Sequence, residues 1–277
     1  MTRTWFITGV SAGLGRALAL AALEVGDSVA GTVRKGADRD AFTGLGPKAH
    51  GFVADVTDEA AVAAAVTAAE ALSGGIDILV NNAGYGLTGA VEETSLDEAR
   101  AQFEANVFGP LAVLRSALPG MRARRSGHVI NITSVSGLAA WSGTGVYCAS
   151  KFALEGLGEA LAQEVAPLGI KVTNVAPGGM RTDYAGRSLT RAVQVIDDYA
   201  ETAHMAPRLL AQHAGQESGD PARAAQAILQ IAGAADAPLR LLLGADALHY
   251  AMRKMGQMTT EIGDWAALST SISFPET

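Results

Sequence analysis

The sequence predicts an α/β fold in which helices cover a largely parallel sheet. Three observations lead to this prediction. The chain begins with a short apolar strand, a glycine-rich loop and an Ala/Leu-rich helix. Short apolar runs then alternate with longer amphipathic segments, the pattern of strand–helix–strand units. At 277 residues and 49% hydrophobic content, the chain fits one α/β domain over residues 1–277, without internal repeats or linkers.

Composition excludes several classes of function. A net charge of −7 and a pI near 5.2 argue against binding to nucleic acid or an anionic membrane. The single cysteine, Cys148, excludes an intrachain disulfide and a zinc cluster, and it suits a reducing cytoplasm. The five histidines have no metal-ligand spacing, and no apolar run reaches about eighteen residues. We therefore expect a soluble cytoplasmic protein without a metal.

The first strand, Thr4–Ile7, leads into a loop that carries three glycines and then into a helix from Arg16 to about Val25. Glycines let the backbone approach a diphosphate closely, and the unpaired N–H groups of the helix attract its negative charge. The alternative is a loop that only makes a tight turn. The diphosphate interpretation assigns cofactor contacts to Gly9, Ser11, Ala12, Gly13, Leu14 and Gly15.

The second strand, Ser28–Val33, is followed by Arg34 and Lys35. A site for NAD would place a carboxylate here to bind the ribose 2′-hydroxyl. Two cations suit a 2′-phosphate instead, since the guanidinium of Arg34 offers a planar fork of donors and Ser11 adds a hydroxyl from the glycine loop. We therefore predict a preference for NADP(H), with NAD(H) still accepted; the alternative is an ordinary solvated turn.

The next two strands, Gly51–Ala54 and Ile76–Val80, end in small and polar residues that suit a cofactor crevice. The carboxylate of Asp55 could accept a hydrogen bond from the adenine amino group. Asp58 is predicted to cap a helix that runs through Leu72. Asn-rich turns also occur without a ligand. The cofactor candidates at these two strand ends are Asp55, Val56, Asn82, Ala83 and Gly84.

A long helix is predicted from Leu96 through Met121 because apolar residues recur at helical intervals. Asn106 lies inside it, and Pro110 lacks the N–H that would bond the Asn106 carbonyl. That carbonyl is then free to bind a water that relays protons toward Lys151. The alternative is a kink made for packing.

The run His128–Thr133 predicts a buried parallel strand, and Ser134 follows it. A helix that opens at Gly145 places Tyr147 and Lys151 one turn apart on one face. An ammonium close to a phenol lowers the pKa of the phenol, which makes Tyr147 a candidate acid/base, while Ser134 can reach a carbonyl oxygen. The alternatives are a solvated Tyr/Lys pair and a serine that caps a helix.

The last third of the chain contains strands at Ile170–Ala176 and Leu239–Leu243 and a helix from Asp220 through Ile231. Between them, residues 183–219 lack strand character and predict a helical substrate flap. Leu189, Val193, Ile196 and Tyr199-Ala200 give it one short amphipathic helix. A methionine stripe on the last helix indicates core packing or a subunit contact. Residues 259–277 form a tail, with Trp265 and Phe274, that is expected either to cover the pocket or to contact another subunit. Residues that could line the substrate pocket or pack the flap onto the body are Trp141, Tyr184, Val193, Ile196, Tyr199 and Met205.

These motifs occur in the order and spacing of a known family: the glycine loop, Asp55, the Asn81–Gly84 turn, Asn106, Ser134, Tyr147, Lys151 and Pro177-Gly178. From Thr4 to about Gly244, the chain resembles the short-chain dehydrogenase/reductase family. The run Gly31–Arg34 is similar to the branch that contains NADP(H)-preferring hydroxysteroid and retinol dehydrogenases.

The resemblance implies a Rossmann-like, doubly wound sheet of seven parallel strands with helices on both faces. It implies that Tyr147 is the acid/base, that Lys151 lowers its pKa and binds the nicotinamide ribose, and that Ser134 orients the carbonyl. Asn106 would join a water relay. It also implies cofactor contacts at Pro177, Gly178 and Thr182, and a homodimer or homotetramer.

We therefore expect an NADPH-dependent enzyme that reduces an apolar ketone or aldehyde to an alcohol by hydride transfer, with Tyr147 as proton donor. One alternative is a catalytically silent protein that senses dinucleotides; such proteins commonly lose the tyrosine or lysine, and this chain has both. A second alternative is a sugar epimerase or dehydratase. Longer relatives of that kind carry an added substrate domain, for which too few residues follow the last strand.

Overall fold

The computed structural model describes residues 2–182, 188–212 and 214–274. Seven parallel strands form the main sheet in the order β3-β2-β1-β4-β6-β7-β9, which confirms the predicted Rossmann-like sheet. The order reverses between β1 and β4, and ligands bind at such a switch point in this architecture. The strands are β1 Thr4–Thr8, β2 Ser28–Val33, β3 Ala49–Val53, β4 Ile78–Asn81, β6 Gly127–Ile132, β7 Ile170–Pro177 and β9 Arg240–Leu243.

Helices pack on both faces of this sheet and bury an apolar core against each. On one face, α1 and α8 pack against residues such as Trp5 and Val80. On the other face, α3, α5 and α6 pack against residues such as Phe6 and Leu79. The main helices are α1 Gly13–Glu24, α2 Gly36–Thr43, α3 Glu59–Ser73, α4 Leu96–Phe103, α5 Gly109–Arg124, α6 Gly145–Val165, α7 Met205–Gln212, α8 Pro221–Ala232, α9 Ala245–Asp264 and α10 Ala266–Thr270.

The long helix predicted from Leu96 is interrupted by a π-helical segment at Glu104–Phe108, between α4 and α5. The Gly109 N–H reaches back five residues to the Glu104 carbonyl. Pro110 follows directly, where its missing N–H removes one hydrogen bond of the regular ladder. The irregularity lies where Pro110 predicts a disturbance, and Asn106 lies inside it.

The amphipathic flap helix predicted from Leu189 to Ala200 is wrong. Leu189–Arg191 is instead a short strand, β8, that pairs in parallel with β5, Gly86–Thr88. The backbone N–H of Val193 donates to Glu98 and that of Ile196 to Glu93, so carboxylates replace helical carbonyls as acceptors. A 3₁₀ turn at Asp197–Tyr199 follows, and the flap's α-helix is α7.

The C-terminal residues continue in helical structure through α9 and α10. The methionine stripe does not belong to the core, because Met252 and Met255 are about three-fifths exposed. Trp265 and Phe274 are also exposed, which does not support a role for the tail in covering a pocket of this chain. Within the described residues, every helix is too short or too polar to cross a membrane.

Candidate active site

The glycine loop lies between β1 and α1 and is braced from the end of β4. Gly9 has a φ of 76°, and a side chain on Gly15 would lie 2.3 Å from both Asn82 Nδ2 and the Gly9 carbonyl. The Asn82 amide donates to the carbonyls of Thr8 (2.8 Å) and Gly9 (3.1 Å). The Thr8 hydroxyl accepts the backbone N–H groups of Asn82 and Ala83. Asn82 therefore shapes the loop from behind, with its amide donors already in use.

The beginning of α1 is open to an anion. No side chain caps the helix at Ala12, and its first turn carries no acidic residue. Ser11 is exposed, and Thr182 lies across the loop, because a Cβ added to Gly13 would be 3.8 Å from Thr182 Cβ. This cradle of uncapped N–H groups and glycine backbone fits the diphosphate of a dinucleotide.

Arg34 is exposed at the carboxyl end of β2, beside Lys35, which precedes α2. Asp55 lies at the end of the neighbouring β3 and is also exposed. One Asp55 oxygen accepts the Thr57 backbone N–H at 3.0 Å and the Thr57 hydroxyl at 2.9 Å, and the other is unengaged by these bonds. Val56 is buried against Gly109. The sheet thus places the candidates for the adenosine half at one edge.

Tyr147 and Lys151 lie on the same face of α6, as their spacing predicts. The Lys151 Nζ is 6.0 Å from the centre of the Tyr147 ring and donates to the Ile132 carbonyl at 2.9 Å. Lys151 is only 7% exposed. Burial lowers the pKa of Lys151 from 10.5 to about 8, an effect that the nearby Glu155 carboxylate opposes. A fixed cation beside a phenol is the arrangement that acidifies a tyrosine.

Ser134 follows β6 at the edge of the same region. Its hydroxyl accepts the Ser136 backbone N–H at 3.0 Å and so caps a 3₁₀ turn at Val135–Gly137. That turn packs tightly on α6, since a Cβ on Gly137 would lie 2.8 Å from the Lys151 carbonyl. The capping role that the sequence left open is present, and the turn places Ser134 beside the Tyr147 helix.

The Asn106 side chain connects the π segment to the site. Its Oδ1 accepts the Tyr85 N–H at 3.1 Å, and its Nδ2 donates to the Tyr85 carbonyl at 3.0 Å and to the Ser150 hydroxyl at 3.1 Å. Ser150 in turn donates to the Tyr147 carbonyl. Asn106 therefore connects the segment that follows β4 to α6. A water on its main-chain carbonyl stays a prediction.

Pro177 and Gly178, at the end of β7, are anchored by a residue that sequence reasoning missed. Asp246, in the first turn of α9, accepts the Gly179 N–H at 2.8 Å. A Cβ on Gly178 would lie 2.3 Å from the Asp246 carboxylate. The only sequence signal was an acid at a helix start, which is common in helices without function.

The candidate substrate residues come from the segment after Ser134 and from the flap. The Trp141 ring meets Tyr250 of α9 edge to face, with ring centres 5.5 Å apart. Tyr184, another of the six candidates, lies outside the described residues. Val193 is 90% exposed, so it does not line an apolar wall here. Trp141 thus stays a candidate, now with an aromatic neighbour from the last helix.

Glu93 connects the flap to the rest of the domain, and sequence reasoning did not identify this role either. One carboxylate oxygen lies 2.7 Å from His204 Nε2 and accepts the Ile196 N–H at 2.6 Å, and the other accepts the Ala90 N–H at 2.7 Å. Glu93 is 2% exposed. In the sequence, this buried carboxylate looks like part of a polar turn, because two of its partners, Ile196 and His204, are about a hundred residues away.

Comparisons with known proteins agree with this geometry. The family described as short chain dehydrogenase matches residues 3–192. Oxidoreductase BOA17 of Botryotinia fuckeliana is 40% identical over 97% of this chain and 98% of its own length. A 3-ketodihydrosphingosine reductase of Bacteroides thetaiotaomicron is 35% identical over 86% of each chain. Human retinol dehydrogenase 8 is 34% identical over 86% of this chain and 80% of its own.

Solved structures give the same result. A short-chain dehydrogenase from Streptomyces avermitilis superposes with a TM-score of 0.91, at 39% identity and 98% coverage of both chains. A short chain dehydrogenase from Burkholderia cenocepacia, in complex with NADP, has a TM-score of 0.74 at 25% identity, covering 95% of this chain and 97% of the other.

Proposed function

Because this chain belongs to the short-chain dehydrogenase/reductase family, we propose that it is an NADPH-dependent reductase of an apolar ketone or aldehyde. The family places it among NAD(P)-dependent oxidoreductases that act on CH–OH groups. The observation that carries the proposal is the Tyr147/Lys151 pair on α6, with a buried lysine 6.0 Å from the tyrosine ring.

Proton transfer follows from this pair. The Lys151 ammonium favours the phenolate of Tyr147, so the phenol can give its proton to a carbonyl oxygen near neutral pH. The Ser134 hydroxyl, which accepts the Ser136 N–H, donates its own hydrogen to the same oxygen. In the reverse direction, Tyr147 takes the proton of the alcohol. General acid catalysis of this kind contributes about 10²- to 10⁴-fold to a rate.

The glycine loop, the uncapped start of α1 and Thr182 fit the diphosphate of a dinucleotide, and Lys151 fits its nicotinamide ribose. When bound, the nicotinamide supplies the hydride that reduces the carbonyl carbon, or accepts it from the alcohol. The chain's own contribution is to orient the two reactants and to hold the proton at Tyr147 Oη.

The preference for NADPH over NADH is supported by two cations, Arg34 and Lys35, where an NAD site usually has a carboxylate. The exposure of Arg34 leaves its guanidinium accessible to a 2′-phosphate. A related structure from Burkholderia cenocepacia contains NADP.

The apolar character of the substrate is supported by Trp141 with Tyr250 beside the site. Two relatives point the same way, since the substrates in their names, 3-ketodihydrosphingosine and retinol, are largely apolar molecules. We also propose a homodimer or homotetramer, as in the family.

The test is a panel of apolar ketones and aldehydes, followed by NADPH absorbance, with wild type and Tyr147→Phe. We expect turnover by wild type with at least one substrate, a loss of kcat of about 10²-fold or more in Tyr147→Phe, and nearly unchanged NADPH binding. Near-normal turnover by Tyr147→Phe would contradict the assignment. NADPH binding without turnover across the panel would favour the dinucleotide-sensing alternative.

A further inference from the structure

A chain of buried polar side chains crosses the sheet behind the active site. Asn81, Asn131 and Asn174 occupy paired positions on β4, β6 and β7. The Asn81 amide donates to Asn131 at 2.9 Å, and the Asn131 amide donates to Asn174 at 3.0 Å. This series of hydrogen bonds ends at Glu155 on α6, whose carboxylate accepts a hydrogen bond from the Asn174 amide at 2.9 Å. The asparagines therefore orient this carboxylate from within the core.

Glu155 is 4% exposed and is contacted on both oxygens. Oε2 accepts the Asn174 amide and lies 3.4 Å from the Arg240 guanidinium of β9. Oε1 is 2.6 Å from the Thr133 hydroxyl, which also lies 2.9 Å from the Val175 carbonyl. Oε2 therefore faces an amide N–H and a guanidinium, two groups that interact favourably with an ionised carboxylate.

The position of Glu155 relative to Lys151 gives it a role in the site. The two residues are four apart on α6 and share one face, so the carboxylate follows the ammonium by one turn. Burial favours loss of the Lys151 proton, and Glu155 is the charged group that opposes this effect. Electrostatic interactions between buried groups are screened less than those at the surface.

Both neutral and ionisable groups lie on the elements around Lys151. β6 offers the Ile132 carbonyl, and the π segment packed against α6 offers the neutral Asn106 amide. Arg240 contacts Glu155 on one side and Glu159 on the other, so its charge is shared by two carboxylates. The ionisable side chains on α6 are Tyr147, Cys148, Lys151, Glu155, Glu159 and Glu164, and those on the described segments packed against it include Tyr85, Asp97, Glu98, Arg100, Glu104, Lys171 and Arg240.

We propose that Glu155 is a positioning residue of the active site, whose buried carboxylate keeps the Lys151 ammonium charged and thereby keeps Tyr147 acidic. The inference rests on the proposed function, because it assigns the Tyr147/Lys151 pair a catalytic role. Without the carboxylate, Lys151 loses its proton at lower pH, and Tyr147 ionises without a cation beside it. Alcohol oxidation then needs a higher pH, since it uses the phenolate as base.

The test is the ionisation of Tyr147 in Glu155→Gln, followed by tyrosinate absorbance near 295 nm. The protein has five tyrosines, so the matching Tyr147→Phe protein is subtracted in each background. Glutamine can keep the contacts of the site: its oxygen accepts the Asn174 amide, and its NH₂ donates to the Thr133 hydroxyl. We expect the midpoint of Tyr147 ionisation to rise by about one pH unit.

The matched control is Glu159→Gln, which removes the same charge from the same helix, also beside Arg240, one turn further from Lys151. It should leave the midpoint unchanged. An unchanged midpoint in Glu155→Gln overturns the proposal. A lower midpoint also overturns it, because the carboxylate would then act on Tyr147 directly rather than through Lys151.

Should Glu155→Gln not fold because Arg240 keeps only Glu159 as an acidic partner, the double variant Glu155→Gln/Arg240→Gln is measured against Arg240→Gln, with the same expected rise. The titration needs no substrate. A wild type without turnover would therefore contradict the proposed function, while the titration would still decide the role of Glu155. With an active wild type, the pH at which alcohol oxidation reaches half its maximum should rise in parallel in Glu155→Gln.

Discussion

At the scale of single residues, the candidate site combines groups that are exposed to a ligand with buried groups around the Tyr147 helix. Arg34 and Ser11 are exposed, whereas Lys151, Asn106 and Glu155 are each less than 10% exposed. The buried groups are fixed by hydrogen bonds to backbone and to one another. This division explains how a flexible ligand can meet a proton donor whose environment changes little.

Replacement of Arg34 by Asp should reverse the cofactor preference. The change removes a guanidinium fork and places a carboxylate where a ribose 2′-hydroxyl can donate to it. We expect the ratio of kcat/KM for NADPH to that for NADH to fall about 10- to 100-fold, the effect of one or two charged hydrogen bonds. Arg39→Asp changes the charge equally, at a residue of α2 that pairs with Asp40, and should leave the ratio nearly constant. An unchanged ratio in Arg34→Asp would refute NADP(H) selection by this residue.

Sequence reasoning could predict the residues whose roles depend on near neighbours in the chain. Tyr147 and Lys151 are four apart, and the glycine loop is contiguous, so helix geometry and backbone chemistry were sufficient. Glu93 and Glu155 could not be identified, because their partners Ile196 and Asn174 lie on other elements, 103 and 19 residues away. Nothing in the local pattern distinguishes either glutamate from a solvated one.

At the scale of elements, the loop between β1 and α1 depends on the end of β4. Asn82 and Thr8 connect the two strand ends through four hydrogen bonds. The loop is therefore formed before any ligand binds, which lowers the entropy lost on binding. The Asn81–Gly84 motif predicts a turn that faces the ligand, whereas the Asn82 side chain faces the loop between β1 and α1.

Gly15→Ala should damage both folding and cofactor binding. The new methyl group would lie 2.3 Å from Asn82 Nδ2 and from the Gly9 carbonyl, so the brace must move. We expect about 1–3 kcal/mol of lost stability in urea unfolding, and weaker NADPH binding in a fluorescence titration. Gly256→Ala in α9 meets no atom within 4 Å and should stabilise the protein by about 0.5–1 kcal/mol. Wild-type stability and affinity in Gly15→Ala would contradict the brace.

The flap illustrates where helical periodicity misleads. Leu189, Val193 and Ile196 have helical spacing, yet they share no buried face. Val193 is 90% exposed, whereas the neighbouring Ala192 is buried. The conformation is determined by pairing of β8 with β5 and by the carboxylates of Glu93 and Glu98. These interactions connect residues about a hundred positions apart, beyond the reach of a local pattern.

At the scale of the whole molecule, the order of apolar strands and glycine turns was enough to predict the sheet, because the central strands β1, β2, β4 and β6 are almost continuous buried runs. The same core contains polar groups that make stability depend on pH. His128 on β6 is 4% exposed, with Nε2 2.9 Å from the Thr173 hydroxyl. Burial and the charge of Lys171 lower the pKa of His128 from 6.5 to about 4.

Stability should therefore fall as the pH drops from about 6.5 toward 4. In this range the unfolded chain binds a proton at His128 that the folded chain does not, which favours unfolding. The expected loss from this group is about 2 kcal/mol between pH 7.5 and 5. In urea unfolding at these two pH values, His128→Gln should reduce the loss by that amount, whereas His249→Gln, at an exposed position, should not. An equal loss in His128→Gln and wild type would exclude His128 as the cause.

The most direct measurement of the central claim is the fate of a deuterium carried at C4 of NADPH. The 4R- and 4S-labelled cofactors are each incubated with the enzyme and a carbonyl compound that it turns over, and the alcohol is analysed by mass spectrometry. The account predicts one deuterium on the carbinol carbon from one of the two labels, and almost no product with Tyr147→Phe. An alcohol without deuterium from either label would contradict it.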